Sequence, residues 1–331
     1  MGGPEACMSL LPFYVLLLLG GFGAIYFGAE WLVRGAAHIA STMGISPVVV
    51  GLTLVALGTS APELVVGIFA VLRDDGGLLM GNVLGSNLAN IGLILGATAL
   101  ITPLGVADRV VTRDVPIMLL ITVFVFPLVL DGEVDWGDGV ILLALLVLYI
   151  GFTFIPIDEE MRGLREEVDS ITEDPDAPQV AQKPLGNVGL VVGGVVGLGF
   201  GGWATVEGAE YLAQALGAST EVIGLTVVAV GTSLPELVTA LVAAARRQPD
   251  IAVGNIVGSN IFNLTAVIGT SALVGDFPVG ESILALQLPS VLVLSLLLWP
   301  VVASARMVRR WEGLLLLAVY VAFAVWISIV T

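Results

Sequence analysis

Charge, cysteine and histidine are all scarce in this chain. Of its 331 residues only 12% are charged, and it has one cysteine and one histidine. With 57% hydrophobic residues and a mean hydropathy of +1.03, it has too little polar surface to stay in water, which excludes a soluble domain. The lone Cys7 excludes a disulfide framework and a cysteine metal cluster. His38 stands alone and reads as an interfacial residue, so the ligands of a zinc hydrolase are missing. No Gly-x-Gly-Asp element is present either, which sets aside an intramembrane hydrolase. No cleavable leader is expected, because the apolar run from Leu10 has no basic residue before it and continues too far.

What remains is a series of apolar runs long enough to cross a bilayer as helices and too long for barrel strands. Hydropathy places about ten of them, near 10–40, 46–72, 78–101, 114–131, 137–156, 186–215, 220–245, 251–274, 284–304 and 309–330. The acidic excess, 28 against 12 basic residues, collects in loops and makes nucleic acid an unsuitable partner. The polar stretch 157–185 reads as an acidic cytoplasmic linker between residues 1–156 and 186–331, each carrying five spans. With the N-terminus outside, eleven lysines and arginines fall on the inner side and only Arg73 outside, so both termini are expected to be extracellular in a cell-membrane protein.

The two halves repeat one polar sequence. Gly51–Glu63 reads GLTLVALGTSAPE and Gly224–Glu236 reads GLTVVAVGTSLPE, identical at ten of thirteen positions with an offset of 173. Gly81–Asn90, GNVLGSNLAN, and Gly254–Asn263, GNIVGSNIFN, keep the same offset. The repeats span about 46–100 and 220–273. Five crossings reverse direction, so the second half enters the membrane upside down and equivalent residues meet at mid-depth. The fold expected is therefore an all-α polytopic membrane protein built from two inverted five-helix repeats.

These residues suit a cation site. Pro62 and Pro235 lack an amide hydrogen and crowd the carbonyls of Gly58 and Gly231, so each second span should break there. Irregular backbone at that depth is tolerated where it lines a cavity, and carbonyls near Ala56, Thr59, Ala229 and Thr232 are hard ligands. A kink for packing alone would not need a following glutamate or an inverted copy. Glu63 and Glu236 each cost about 2.5–3.5 kcal/mol at a helix centre, and no Lys or Arg lies in the four motif segments. They must be protonated or balanced by bound cations. Asn82, Ser86 and Asn90, repeated as Asn255, Ser259 and Asn263, form one polar stripe per helix. Ser86, Asn90, Ser259 and Asn263 read as ligands, whereas Asn82, Asn87, Asn255 and Asn260 read as supports. Glu30, Glu207 and Glu210 sit toward span ends, where they reach water or an entry path.

At these motifs the chain closely resembles the cation/calcium exchanger superfamily, specifically the prokaryotic sodium/calcium exchangers. The resemblance implies alternating-access exchange of Na⁺ for Ca²⁺, not an enzymatic reaction, with the two ions and the bilayer as partners. No resident cofactor and no obligate protein partner is implied. By motif match Glu63 and Glu236 would be the shared carboxylates, and Thr59 and Thr232 would offer backbone oxygens to Ca²⁺. Ala56, Ser60, Ala229, Ser233, Ser86 and Ser259 would complete flanking Na⁺ sites, with Asn90 and Asn263 at the middle. The two long first helices of the halves would slide against the other eight. Some relatives carry aspartate where Asn263 stands; with asparagine in both repeats the site charge is −2, and the resemblance implies electrogenic, potassium-independent exchange. Proton/calcium antiport through the same glutamates and a passive cation channel are the alternatives.

Overall fold

A backbone inside hydrocarbon must satisfy its own N–H and C=O groups, and the helix does this within one segment. The computed structural model describes residues 4–155, 184–215, 231 and 233–330, and helix dominates them. The first half contains α1 (Pro4–Met43), α2 (Pro47–Thr59), α3 (Ala61–Val71), α4 (Gly76–Ile101), α5 (Val110–Val129) and α6 (Trp136–Thr153). The second contains α7 (Pro184–Ala215), α8 (Leu234–Ala245), α9 (Pro249–Val274), α10 (Ile283–Arg306) and α11 (Arg310–Val330). Among the described residues eight helices are long and apolar enough to span a membrane, and the bent pair α2–α3 makes a ninth. The tenth expected span, 220–245, is seen as α8, its beginning lying outside the described residues, as does the linker 157–183. The protein is thus an all-α polytopic membrane protein.

The halves exchange partners as an inverted repeat requires. Helix α4 packs on α11, and its counterpart α9 packs on α6. Four short strands do the same: β1 (Leu104–Gly105) pairs antiparallel with β4 (Met307–Val308), and β2 (Glu133–Val134) with β3 (Phe277–Pro278). Even the widened π turns recur at the offset of 173, over Val110–Asp114 in α5 and Ile283–Gln287 in α10.

The long helices α1 and α7 lie antiparallel along most of their length, Gly21 beside Gly201, Gly28 beside Gly194 and Gly35 beside Asn187. Their other faces expose Leu16, Leu19, Tyr26, Trp31, Val192, Val196 and Trp203, as a lipid-facing surface should. Glu30 of α1 does not reach water as its place near a span end suggested. It is 7% exposed and held by Arg34 at 2.6 Å and by Arg246, whose Nε donates to it at 3.0 Å. This bond ties the long pair to the end of α8. Glu207 is half-buried.

Candidate functional site

The proline breaks form as the sequence requires. Ser60 leaves helical geometry (φ −83°, ψ 4°), and α2 and α3 meet at a 45° bend. Ser233 has almost the same conformation (φ −88°, ψ 1°) in front of α8. Each break starts a new helix with Pro at its first turn and a glutamate one residue later, Glu63 in α3 and Glu236 in α8. The Ala56 carbonyl keeps its helical bond, accepting from Ser60 N–H at 3.0 Å, and the Thr59 hydroxyl also lies 3.3 Å from it.

Both glutamates are 1% exposed and close enough to repel one another. Ser60 of the first half donates its hydroxyl to Glu236 Oε1 at 3.4 Å, while Glu236 Oε2 and both oxygens of Glu63 have no hydrogen-bond partner. Ser86 lies beside Glu63. The Thr59 hydroxyl donates to Asn255 Oδ1 at 3.1 Å and lies 3.4 Å from the Ser259 hydroxyl, so α2 and α9 meet through polar groups. No Lys or Arg pairs with either glutamate among the described residues.

Four asparagines also cross-link the halves. Asn90 Nδ2 donates to Asn260 Oδ1 at 3.4 Å, and Asn263 Nδ2 donates to Asn87 Oδ1 at 3.0 Å. The amides of Asn90 and Asn263 are thus tied through nitrogen, which leaves Asn90 Oδ1 and Asn263 Oδ1 buried and unpartnered. Both residues sit in π turns, Ala89–Leu95 and Asn263–Val267, a distortion frequent at functional sites. The Ser233 hydroxyl is buried and unpartnered as well.

The described structure buries Ala56, Thr59, Ser60, Glu63, Ser86, Asn90, Ser233, Glu236, Ser259 and Asn263, and its contacts join Ser60 and Ser86 to the glutamates, Thr59 to Ser259, and Asn90 and Asn263 to Asn260 and Asn87, while Ala229 and Thr232 lie outside the described residues. Thr239 was not marked by the motifs. It is fully buried one turn beyond Glu236 with an unpartnered hydroxyl, and its only sequence signal is that the first repeat has Val66 there. Among the described residues no three His, Cys, Asp or Glu side chains converge. A cation would be held by two carboxylates and neutral oxygens, the donor set of hard ions such as Na⁺ and Ca²⁺.

Halves that exchange partners and each deliver an acidic, broken helix to one buried cluster define a secondary active transporter, not an enzyme. Comparison with known proteins makes this specific. The sodium/calcium exchanger protein family matches residues 13–155 and 186–329. An uncharacterized membrane protein of Methanocaldococcus jannaschii is 34% identical over 312 residues, covering 92% of this chain and 97% of that one. The sodium/calcium exchanger MaX1 of Methanosarcina acetivorans is 33% identical, with 94% and 97% covered. The solved structure of the sodium/calcium exchanger from Methanococcus jannaschii superposes with a TM-score of 0.79 at 32% identity, over 94% of this chain and 97% of that one. The chain belongs to the sodium/calcium exchanger family.

Proposed function

We infer that the protein is a Na⁺/Ca²⁺ antiporter in which both ions compete for Glu63 and Glu236 during alternating access. One observation carries the reading: three of the four carboxylate oxygens, supplied by opposite halves, are buried without any hydrogen-bond partner and, among the described residues, without a fixed positive charge. Protons or mobile cations must compensate them at this depth, and the family's ions favour the cations. The asparagine carbonyls, Ser233 and, by motif match, the hydroxyl and backbone oxygens around Thr59, Ser60, Ser86, Thr232 and Ser259 complete the coordination. Family membership and the solved Methanococcus jannaschii exchanger support the choice of ions.

The division into two five-helix units joined by the acidic linker 157–185 supports a moving part made of α1 and α7. An apolar cavity of ≈ 400 Å³, lined by Gly58, Pro62, Gly202, Trp203 and Pro235 among others, lies beside the breaks, where Val195 and Val206 of α7 pack on Gly58 and Gly231. The contacts of α7 with the breaks are apolar and undirected, so the long pair can slide past the site once the bond between Glu30 and Arg246 parts. With neutral amides at positions 90 and 263 the centre carries two formal negative charges. One Ca²⁺ balances it, and loading more than two Na⁺ makes each cycle move net charge without K⁺. The excess of Lys and Arg on one side supports extracellular termini.

Radioactive calcium uptake into proteoliposomes tests this directly. Uptake is expected when Na⁺ is loaded inside and absent outside, and it should vanish when Na⁺ is equal on both sides, with or without K⁺. Uptake driven by a pH gradient without Na⁺ would establish proton antiport instead. Uptake indifferent to every counter-ion would establish a channel.

A further inference from the structure

The side-chain amide of Asn87 is committed at both ends. Its Nδ2 donates to the backbone carbonyl of Asn260 at 3.2 Å, and its Oδ1 accepts from Asn263 Nδ2 at 3.0 Å. All three residues are at most 1% exposed, so no bulk water reaches the bonds. The opposite corner of the cluster is built differently. Asn260 Oδ1 accepts from Asn90 Nδ2, but Asn260 Nδ2 has no partner. The twofold that relates the two ligand amides is broken at their supports.

We propose that Asn87 sets the charge of the ion site: it presents a fixed carbonyl oxygen that requires a neutral hydrogen-bond donor at position 263. An ionised aspartate there would be an acceptor on both oxygens and would meet Asn87 oxygen to oxygen, whereas a protonated one could donate its O–H but would add no charge. Turning the Asn87 amide over would supply a donor, but would set its Oδ1 against the Asn260 carbonyl and forfeit the bond now made there. A buried acceptor facing another acceptor is costly, more so when one is charged. Position 90 lacks this restraint. If Asn90 becomes aspartate, Asn260 turns its amide over, loses no bond from its unpartnered Nδ2, and donates to the new carboxylate.

Asn87 thus differs from the cation ligands in role. It is a positioning residue through which the first half dictates the chemistry of a ligand in the second, and it keeps the centre at two negative charges. The charge-setting consequence rests on the reading of position 263 as a cation ligand, whereas the hydrogen-bond restraint does not.

The experiment is a thermal-unfolding cycle on full-length protein in detergent, free of Na⁺ and Ca²⁺. Asn263→Asp is expected to lower the unfolding midpoint by roughly 5 °C or more, and Asn90→Asp by clearly less. Adding Asn87→Ser to Asn263→Asp should recover most of the loss, because a serine hydroxyl rotates to donate, directly or through a water. If Asn263→Asp yields no folded protein, recovery of folded protein in the double variant is the same result. Equal effects of the two aspartates, or no recovery in the double variant, would overturn the proposal. The cycle needs no transport, so it decides the restraint even if wild-type vesicles show no sodium-driven calcium uptake, an outcome that sinks only the exchanger reading. Where uptake is present, half-saturating Ca²⁺ should fall roughly tenfold in the double variant, as an added carboxylate at the ion demands, while Asn87→Ser alone moves it less than about threefold. No difference between those two would refute the charge-setting role.

Discussion

Glu63→Gln is expected to reduce sodium-driven calcium uptake below about 1% of wild type, since losing a directly coordinating charge costs ~3 kcal/mol or more. Glutamine keeps the size of the side chain and changes only its charge and one oxygen. In the structure neither Glu63 oxygen has a hydrogen-bond partner, so the substitution breaks no bond that holds the fold. It instead removes a buried carboxylate that repels Glu236. Without ions, the variant should melt at the wild-type temperature or higher, because about 2.5–3.5 kcal/mol of charge burial is relieved. Calcium should no longer raise its melting point, whereas it raises that of the wild type. The paired signs matter: a structural glutamate would give a less stable variant, and a cation-binding one gives an inactive variant of equal or greater stability. An inactive but destabilised Glu63→Gln, or an active one, would remove Glu63 from the site. Glu236→Gln should behave alike, with a smaller gain in stability because Ser60 already donates to Glu236.

Most of this centre could be seen in the chain because polar residues are conspicuous in apolar surroundings. The repeated Gly-Thr-Ser-x-Pro-Glu announces both the break and the acid, and the bend at Ser60 follows from the chemistry of Pro62 alone. The spans were equally legible, since bilayer thickness fixes their length. Pairings between distant residues were not. Nothing local in Glu30 shows that Arg246, 216 residues away, closes over it, so a position near a span end looked open to water. The roles of Asn87 and Asn260 as supports could be assigned from the stripe, but not the direction of their amides. Direction depends on which backbone carbonyl lies across the interface, and that is set by the packing of α4 on α9. Likewise Ala56 sits before the break in sequence, yet its carbonyl still takes the Ser60 N–H. The group that loses its donor to proline is the carbonyl of Gly58.

Gly28→Val is expected to produce the second large effect, a fall of more than tenfold in transport together with a melting point lower by several degrees, while Gly23→Val on the same helix changes neither. A Cβ at Gly28 would stand 2.7 Å from Leu198 N and 2.9 Å from Gly194 O, both backbone atoms of α7. The reciprocal contact is as close, with a Cβ at Gly201 only 2.6 Å from Ile25 N of α1. A side chain in the way can change rotamer, but a helix backbone cannot, so the whole of α1 must move off α7. Overpacking of this kind costs about 1–3 kcal/mol where side chains yield, and more where they cannot. Gly23 has nothing within 4 Å of such a Cβ, which makes it a control of equal added bulk. The seam repeats at Gly21, Gly28 and Gly35 and again at Gly194, Gly201 and Gly208, the same offset of 173 that relates the ion motifs. Contact between backbones along the seam resists relative movement within the pair, whereas the pair meets the breaks through apolar side chains around a cavity. Melting curves and calcium uptake on both variants decide the matter, and a Gly28→Val protein that transports normally would show that α1 and α7 need not travel together.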